Sequence, residues 1–149
     1  KIEVLIPDFK GNFKSIDKII STRPKVINHN IECTSNIFKK LRPEGDYNLS
    51  LKILKYIKEK NKKISTKSGF MLGVGESFKD IKKTLLDLKE SKVDIITIGQ
   101  YLPPYKKSFK LQKIYNNSEL EKIKQFASKL KFKKIFVGHN IRSSYSIGL

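Results

Sequence analysis

The stretch NHNIE, Asn28 to Glu32, places Asn28, Asn30 and Glu32 on one face of an extended segment, because side chains along a strand alternate with period two. Two amides and a carboxylate on one face need hydrogen-bond partners. They either satisfy one another as a polar layer inside a barrel or hold the hydroxyls of a ligand, as an acidic residue holds ribose in nucleotide sites. His29, on the opposite face, reads as a packing histidine. Cys33 lacks a neighbouring histidine–carboxylate pattern and reads as a small apolar side chain.

TKSGFMLGVGE, Thr66 to Glu76, reaches two closely spaced glycines, Gly73 and Gly75, just before Glu76. Glycine lets backbone approach a ligand or adopt positive φ. The same spacing also serves a plain turn from strand to helix. Lys67 and Ser68 either contact a carboxylate or phosphate or face solvent. GQYLPP puts Gln100 and Tyr101 at the end of another apolar run. RSSY, Arg142 to Tyr145, has no helix-cap or turn explanation. Arginine binds carboxylates, and a deprotonated serine oxygen ligates a hard or high-valent metal, although position alone makes this segment a disordered end.

These residues need elements to position them. Short apolar runs alternate with stretches of helical period, the pattern of βα units around a parallel sheet. Strands are expected at Val4–Ile6, Lys25–Ile31, Ser68–Leu72, Val93–Ile98 and Lys134–Val137. Ser15 is expected to cap a helix carrying Ile16, Ile19 and Ile20, and Ile37, Phe38 and Leu41 make a short amphipathic turn. Tyr47, Leu51, Leu54 and Ile57 mark a further helix. Ser77 and Asp80 open one that buries Phe78, Ile81, Leu85 and Leu88, and Ser118 with Glu121 opens one that buries Leu120, Ile123, Ala127 and Leu130. Strict alternation fits part of a (β/α) barrel or a small doubly wound sheet, and both place ligands at the strands' carboxyl ends.

A chain of 149 residues with 38% hydrophobic content supports one domain with a real core. No apolar run approaches the ~20 residues that cross a bilayer, and the start lacks the features of a signal peptide, so a cytoplasmic protein is expected. One cysteine precludes an internal disulfide or a multi-cysteine metal site within the stretch. The first residue, Lys1, is not methionine, which reads as a fragment. The formal charge of +18 invites a nucleic-acid reading. Against it, the basic residues are scattered lysines, and Arg23, Arg42 and Arg142 form no cluster.

Taken in order, VLIPDFKGN, NHNIE, RPEGDYNLSL, TKSGFMLGVGE, TIGQYL and RSSY resemble the lipoyl synthases, radical S-adenosylmethionine enzymes that insert sulfur into octanoyl groups. The resemblance covers nearly the whole chain. It implies an α/β fold, the C-terminal portion of a partial (β/α)6 TIM-type barrel, with residues 1–139 as βα units and 140–149 as a tail carrying RSSY. It implies two [4Fe-4S] clusters whose cysteines lie outside this chain. One cleaves S-adenosylmethionine to a radical that attacks carbons six and eight of a protein-bound octanoyl group, and the other donates sulfur. The chain then supplies no catalytic residue of its own and is expected to be inactive alone.

By the same resemblance, Asn28, Asn30 and Glu32 correspond to the strand that contacts the ribose and methionyl parts of S-adenosylmethionine. Lys67, Ser68, Gly73, Gly75 and Glu76 correspond to the next strand's share, and Arg42 and Gln100 are further pocket candidates. A tail serine, Ser144 with Ser143 as the alternative, would cap an iron, supported by Arg142. The implied partners are octanoylated lipoyl domains of 2-oxoacid dehydrogenases, the glycine-cleavage carrier protein, and an electron donor such as flavodoxin or ferredoxin. No membrane or nucleic acid is expected. The chain departs from the family pattern at His139, at Ser146-Ile147 and across Pro103 to Leu111, which lacks the usual histidines. Two other classes remain open: a basic, non-catalytic binding module, and another radical S-adenosylmethionine enzyme.

Overall fold

The computed structural model describes residues 2–144. Tyr145, Ser146 and Ile147 lie outside the described residues, and so does Lys1. Along the chain run β1 (Glu3–Leu5), a 3-10 turn (Phe9–Gly11), α1 (Phe13–Ser21), β2 (Val26–Asn28), α2 (Ser35–Leu41) and α3 (Tyr47–Lys60). There follow β3 (Ser65–Leu72), α4 (Phe78–Glu90), β4 (Ile95–Gln100), α5 (Asn117–Lys129) and β5 (Lys134–Gly138).

The strands form one parallel sheet in the order β1-β2-β3-β4-β5. Each strand pairs with its successor, so the order never reverses within these strands. A doubly wound sheet would show such a reversal. The α/β architecture with sequential parallel strands is consistent with an arc of a TIM-type barrel.

Alternate strand residues decide the two faces. Ile27 of β2, Phe70 and Leu72 of β3, and Ile96 and Ile98 of β4 point to the helices. There they meet Ile16 of α1, Ile53, Leu54 and Ile57 of α3, Ile81, Leu85 and Leu88 of α4, and Ile123 and Ala127 of α5, nearly all fully buried. At about 1.5–3 kcal/mol for each large apolar side chain, this layer holds the sheet to its helices. The other face carries a smaller patch of Val26, Ile95 and Phe136, and above it the polar residues of the site.

At the amino ends of the strands Asp94 ties the sheet together. Its carboxylate accepts from Lys58 Nζ at 2.7 Å, Lys133 Nζ at 2.9 Å and Thr66 N at 3.0 Å, and its carbonyl accepts from Lys133 N.

Several boundaries differ from the sequence reading. Asn12, not Ser15, caps α1, and Asn116 with Glu119, not Ser118 with Glu121, forms the capping box of α5. Ser77 with Asp80 caps α4 as expected, but Phe78 in its first turn is 43% exposed rather than buried. β2 stops at Asn28, and β3 starts three residues earlier than its apolar run. No helix among the described residues is long and apolar enough to cross a membrane.

Candidate functional site

Beyond β2 the chain leaves the ladder and returns to it. Glu32 adopts φ +68°, an unusual backbone for a residue with a Cβ, and pairs with Phe70 as an isolated bridge. Glu32 N donates to Gly69 O at 3.1 Å, and Met71 N donates to Glu32 O at 2.9 Å. This excursion carries Asn30 and Glu32 to the carboxyl end of the sheet, where a cavity of about 320 Å³ opens. Its walls are Asn30 and Glu32, Gly69 and Met71 of β3, Thr97 and Gly99 of β4, Leu102 and Pro104 beyond β4, and Ile141 to Ser143 of the tail.

The tail crosses the strand ends because Gly99 leaves room for it. A Cβ on Gly99 would collide with the carbonyl oxygen of Ile141, so the close approach requires glycine there. Arg142 Nη1 donates to the carbonyls of His139 at 3.1 Å and Ile141 at 2.9 Å, folding the tail on itself. Asn28 Nδ2 donates to Ser143 O at 3.5 Å, and His139 Nε2 lies 2.6 Å from Tyr115 O.

Among the described residues, Asn28 Oδ1, Asn30 Oδ1 and Thr97 Oγ1 are buried without a hydrogen-bond partner. Such atoms cost about 1–3 kcal/mol each unless something donates to them, so a buried orphan acceptor implies a ligand or water. Asn30 Oδ1 and Thr97 Oγ1 both lie against Gly69, on the cavity floor. Beside them, burial pushes the Glu32 carboxyl above its ordinary value, against the opposing Arg42 charge and a hydrogen bond from Asn30. The site therefore presents acceptors to an incoming group rich in donors, with the Arg142 guanidinium at its edge for an anionic one.

The remaining candidates lie elsewhere. Lys67 is fully buried on the cavity's side of the sheet, with Nζ 2.7 Å from Glu3 Oε1, but does not line the cavity. Ser68 points to the opposite, helix-packed face, and its buried hydroxyl has no partner among the described residues. Gly73, at φ +98°, packs where a Cβ would strike the carbonyl of Lys113. Gly75 is also left-handed, at φ +112°. The Glu76 carboxylate closes this turn, accepting from Gly73 N at 2.7 Å and Val74 N at 3.0 Å. Arg42 ends α2 with its guanidinium 5.6 Å above the Phe38 ring.

Gln100 borders the cavity, but its amide is committed to the connection beyond β4. Nε2 donates to Leu72 O, Tyr101 O and Lys113 O at 3.0–3.1 Å, and Oε1 accepts from Tyr115 N at 2.9 Å. Of the tail serines, Ser143 lines the cavity and Ser144 is exposed. His29 packs as expected: Nδ1 bonds Ile6 O at 3.0 Å, and burial lowers its pKa.

Sequence reading missed Thr97, Gly69 and Gly99. The signal was present in the small residues Gly69 of β3 and Thr97 and Gly99 of β4, with Gly69 in register opposite Thr97. A run of apolar β-branched residues around Thr97 concealed it.

The cavity's polar atoms suit a small zwitterion with hydroxyls: hydroxyls and an ammonium can donate to Asn30 and Glu32, and a carboxylate can receive Arg142. An iron–sulfur cluster does not fit these residues alone. Cys33 is fully buried, its thiol pushed up to about 12 chiefly by burial and secondly by the Glu32 charge. No group of three or more His, Cys, Asp or Glu among the described residues is placed to hold a metal ion.

No family model matches the chain. It is 47% identical over 146 residues to the lipoyl synthase of Buchnera aphidicola subsp. Baizongia pistaciae, covering 97% of this chain and 46% of the relative. It is 43% identical over 145 residues to the lipoyl synthase of Caldicellulosiruptor bescii, covering 97% and 50%. Against that of Ruthia magnifica subsp. Calyptogena magnifica it is 42% identical over 153 residues, covering 100% and 48%. The chain spans about half the length of the curated relatives it matches.

Proposed function

We propose, from the premise that this chain belongs to the lipoyl synthase family over nearly all its residues, that it forms the C-terminal half of a lipoyl synthase and supplies part of its S-adenosylmethionine site. The observation that carries this reading is the pair of orphan polar atoms, Asn30 Oδ1 and Thr97 Oγ1, beside the half-buried carboxylate of Glu32 in one cavity.

When bound, S-adenosylmethionine and the two iron–sulfur clusters supply hydrogen abstraction and sulfur for carbons six and eight of a protein-bound octanoyl group. This chain's residues bind and orient. Asn30 and Glu32 accept hydrogen bonds from the ribose and amino groups, Thr97 completes the floor, and Gly69 and Gly99 keep the floor low enough for close approach. Leu102 and the tail from Ile141 to Ser143 exclude water from one side. Asn28 holds the tail through Ser143 O, and Gln100 lines the cavity while its amide holds the connection beyond β4.

Cluster cysteines would come from outside this chain, leaving Ser144, or Ser143 as the alternative, to cap one iron. Arg142 would position that serine through its bonds to the tail carbonyls. Cytoplasmic location, an octanoylated lipoyl domain or glycine-cleavage carrier protein as substrate, and flavodoxin or ferredoxin as reductant belong to the same reading.

The test uses the complete protein. S-adenosylmethionine affinity is measured by equilibrium dialysis, and conversion of an octanoylated lipoyl domain is followed by the mass gained. About eight irons per chain after anaerobic reconstitution, with affinity lost in Asn30→Ala and Glu32→Gln, is the expected result. Absence of S-adenosylmethionine binding in the wild type overturns the reading.

A further inference from the structure

The connection from Tyr101 to Asn116 contains Lys106, Lys107, Lys110 and Lys113 and no acidic residue. Lys113 pairs with Glu119 at 2.6 Å, whereas Lys106, Lys107 and Lys110 are exposed and join no ion pair among the described residues. Flanking these lysines in the same connection are large apolar side chains that a folded chain usually covers: Tyr105 is 71% exposed, Ile114 64% and Leu102 53%. Exposed apolar groups ringed by one sign of charge mark an interaction surface.

The base of this surface is fixed. The Gln100 amide holds Lys113 O and Tyr115 N, Tyr101 Oη donates to Phe109 O at 2.9 Å, and Gln112 N donates to Gly73 O at 2.8 Å. Phe109 and Leu111 pack under the connection against Tyr101 and Val74. A fixed platform presents its exposed groups with little ordering cost on binding. It also adjoins the cavity, whose wall includes Leu102 and Pro104.

We propose that this connection is the docking surface for an acidic carrier domain bearing the acyl substrate, with Lys106, Lys107 and Lys110 facing its carboxylates, Tyr105 packing on it, and Leu102 leading its acyl arm into the cavity. The inference rests on the lipoyl synthase reading and adds where the substrate protein sits. Charge complementarity selects an acidic partner, and the shared rim with the cavity selects one whose reacting group must enter it.

The complete protein is titrated with an octanoylated lipoyl domain at low and moderate salt, alongside separate S-adenosylmethionine binding. Lys106→Glu/Lys107→Glu/Lys110→Glu is expected to weaken carrier affinity about tenfold or more at low salt and to remove most of its salt dependence, with S-adenosylmethionine affinity unchanged within about twofold. Tyr105→Ala is expected to weaken carrier binding without altering the salt dependence, and it keeps the test decisive if the triple variant folds poorly. Unchanged carrier affinity in both variants, with S-adenosylmethionine binding intact, overturns the docking surface and leaves the functional reading standing. Wild-type protein that binds no S-adenosylmethionine fails at the reading beneath and removes the inference with it. Random-sequence duplex DNA that binds more tightly than the carrier, and is released by the same lysine changes, assigns the surface to nucleic acid and overturns the proposal.

Discussion

Lys67 Nζ lies 2.7 Å from Glu3 Oε1, joining β3 to β1 across the intervening strand β2. Lys67 has no exposed surface, whereas Glu3 retains 22% of its side-chain exposure. Removing one partner of a buried pair leaves the other charge less compensated, which is worse than removing both. Glu3→Gln is expected to cost about 2–3 kcal/mol in urea unfolding. The double variant Glu3→Gln/Lys67→Met should recover part of that loss. A double variant no more stable than Glu3→Gln would show that the pair is not what Lys67 depends on.

Asp94 gives a prediction for acid. Burial acts to raise its pKa, but hydrogen bonds from Lys58, Lys133 and Thr66 N outweigh it and hold the carboxyl below 3.8. A depressed acid contributes stability that is present above the unfolded pKa and lost as pH falls through the folded one. The contribution should therefore be intact from about pH 5 upward and should fade below about pH 4. Asp94→Asn should lower stability at neutral pH and flatten that acid limb, as read by denaturation midpoints between pH 2.5 and 7 (about the range that brackets both states). An acid limb unchanged in the variant would count against this assignment.

Glu32 has the opposite sign. Its carboxyl is raised above 4.5 chiefly by burial, so ionisation costs stability as pH rises through the folded value. Glu32→Gln should stabilise the unliganded protein at neutral pH, with the gain vanishing below about pH 4. In the same variant S-adenosylmethionine affinity should fall about tenfold, the typical loss for one charged hydrogen bond. Thermal unfolding with and without ligand reads both effects together. A variant less stable than wild type when unliganded contradicts the assignment.

The tail offers a test at Gly99. Because a Cβ there would meet the Ile141 carbonyl, Gly99→Ala should push the tail off the strand ends with little effect on the helix-packed core. Trypsin should then cut after Arg142 faster than in the wild type, by about tenfold. Equal cleavage rates would mean that the tail does not depend on this approach.

Much of the fold was legible because apolar periodicity reports local burial directly. All five strands were found, and Ile81, Leu85 and Leu88 identified the inner face of α4 correctly. Caps were displaced where two candidate residues stood within one turn, as Asn12 and Ser15 do, since either satisfies the local hydrogen-bond pattern until the chain's entry angle is known. β2 was overestimated because its neighbour β1 has only three residues, so the ladder ends at Leu5 opposite Asn28. The start of β3 lies outside its apolar core for a different reason. Lys67 reads equally as a carboxylate contact or a solvent residue, because its partner Glu3 stands 64 positions away in sequence. At the site, Asn30 and Glu32 were visible as polar residues in an apolar setting, whereas Thr97 resembled any β-branched strand residue and Gln100 gave no sign that its amide holds a long connection.

Asp94 binds the amino ends of β3, β4 and β5, while Asn30, Glu32 and Thr97 occupy the opposite end of the sheet. This polarity separates two kinds of inherited damage. A substitution at Asp94 should be felt first as a shortage of folded protein, with each surviving molecule chemically competent. A substitution at Asn30 should leave the supply of protein intact and impair every copy equally. Extra chaperone capacity or lower growth temperature would rescue the first lesion and not the second, so cells carrying either change would differ in whether folding assistance restores them.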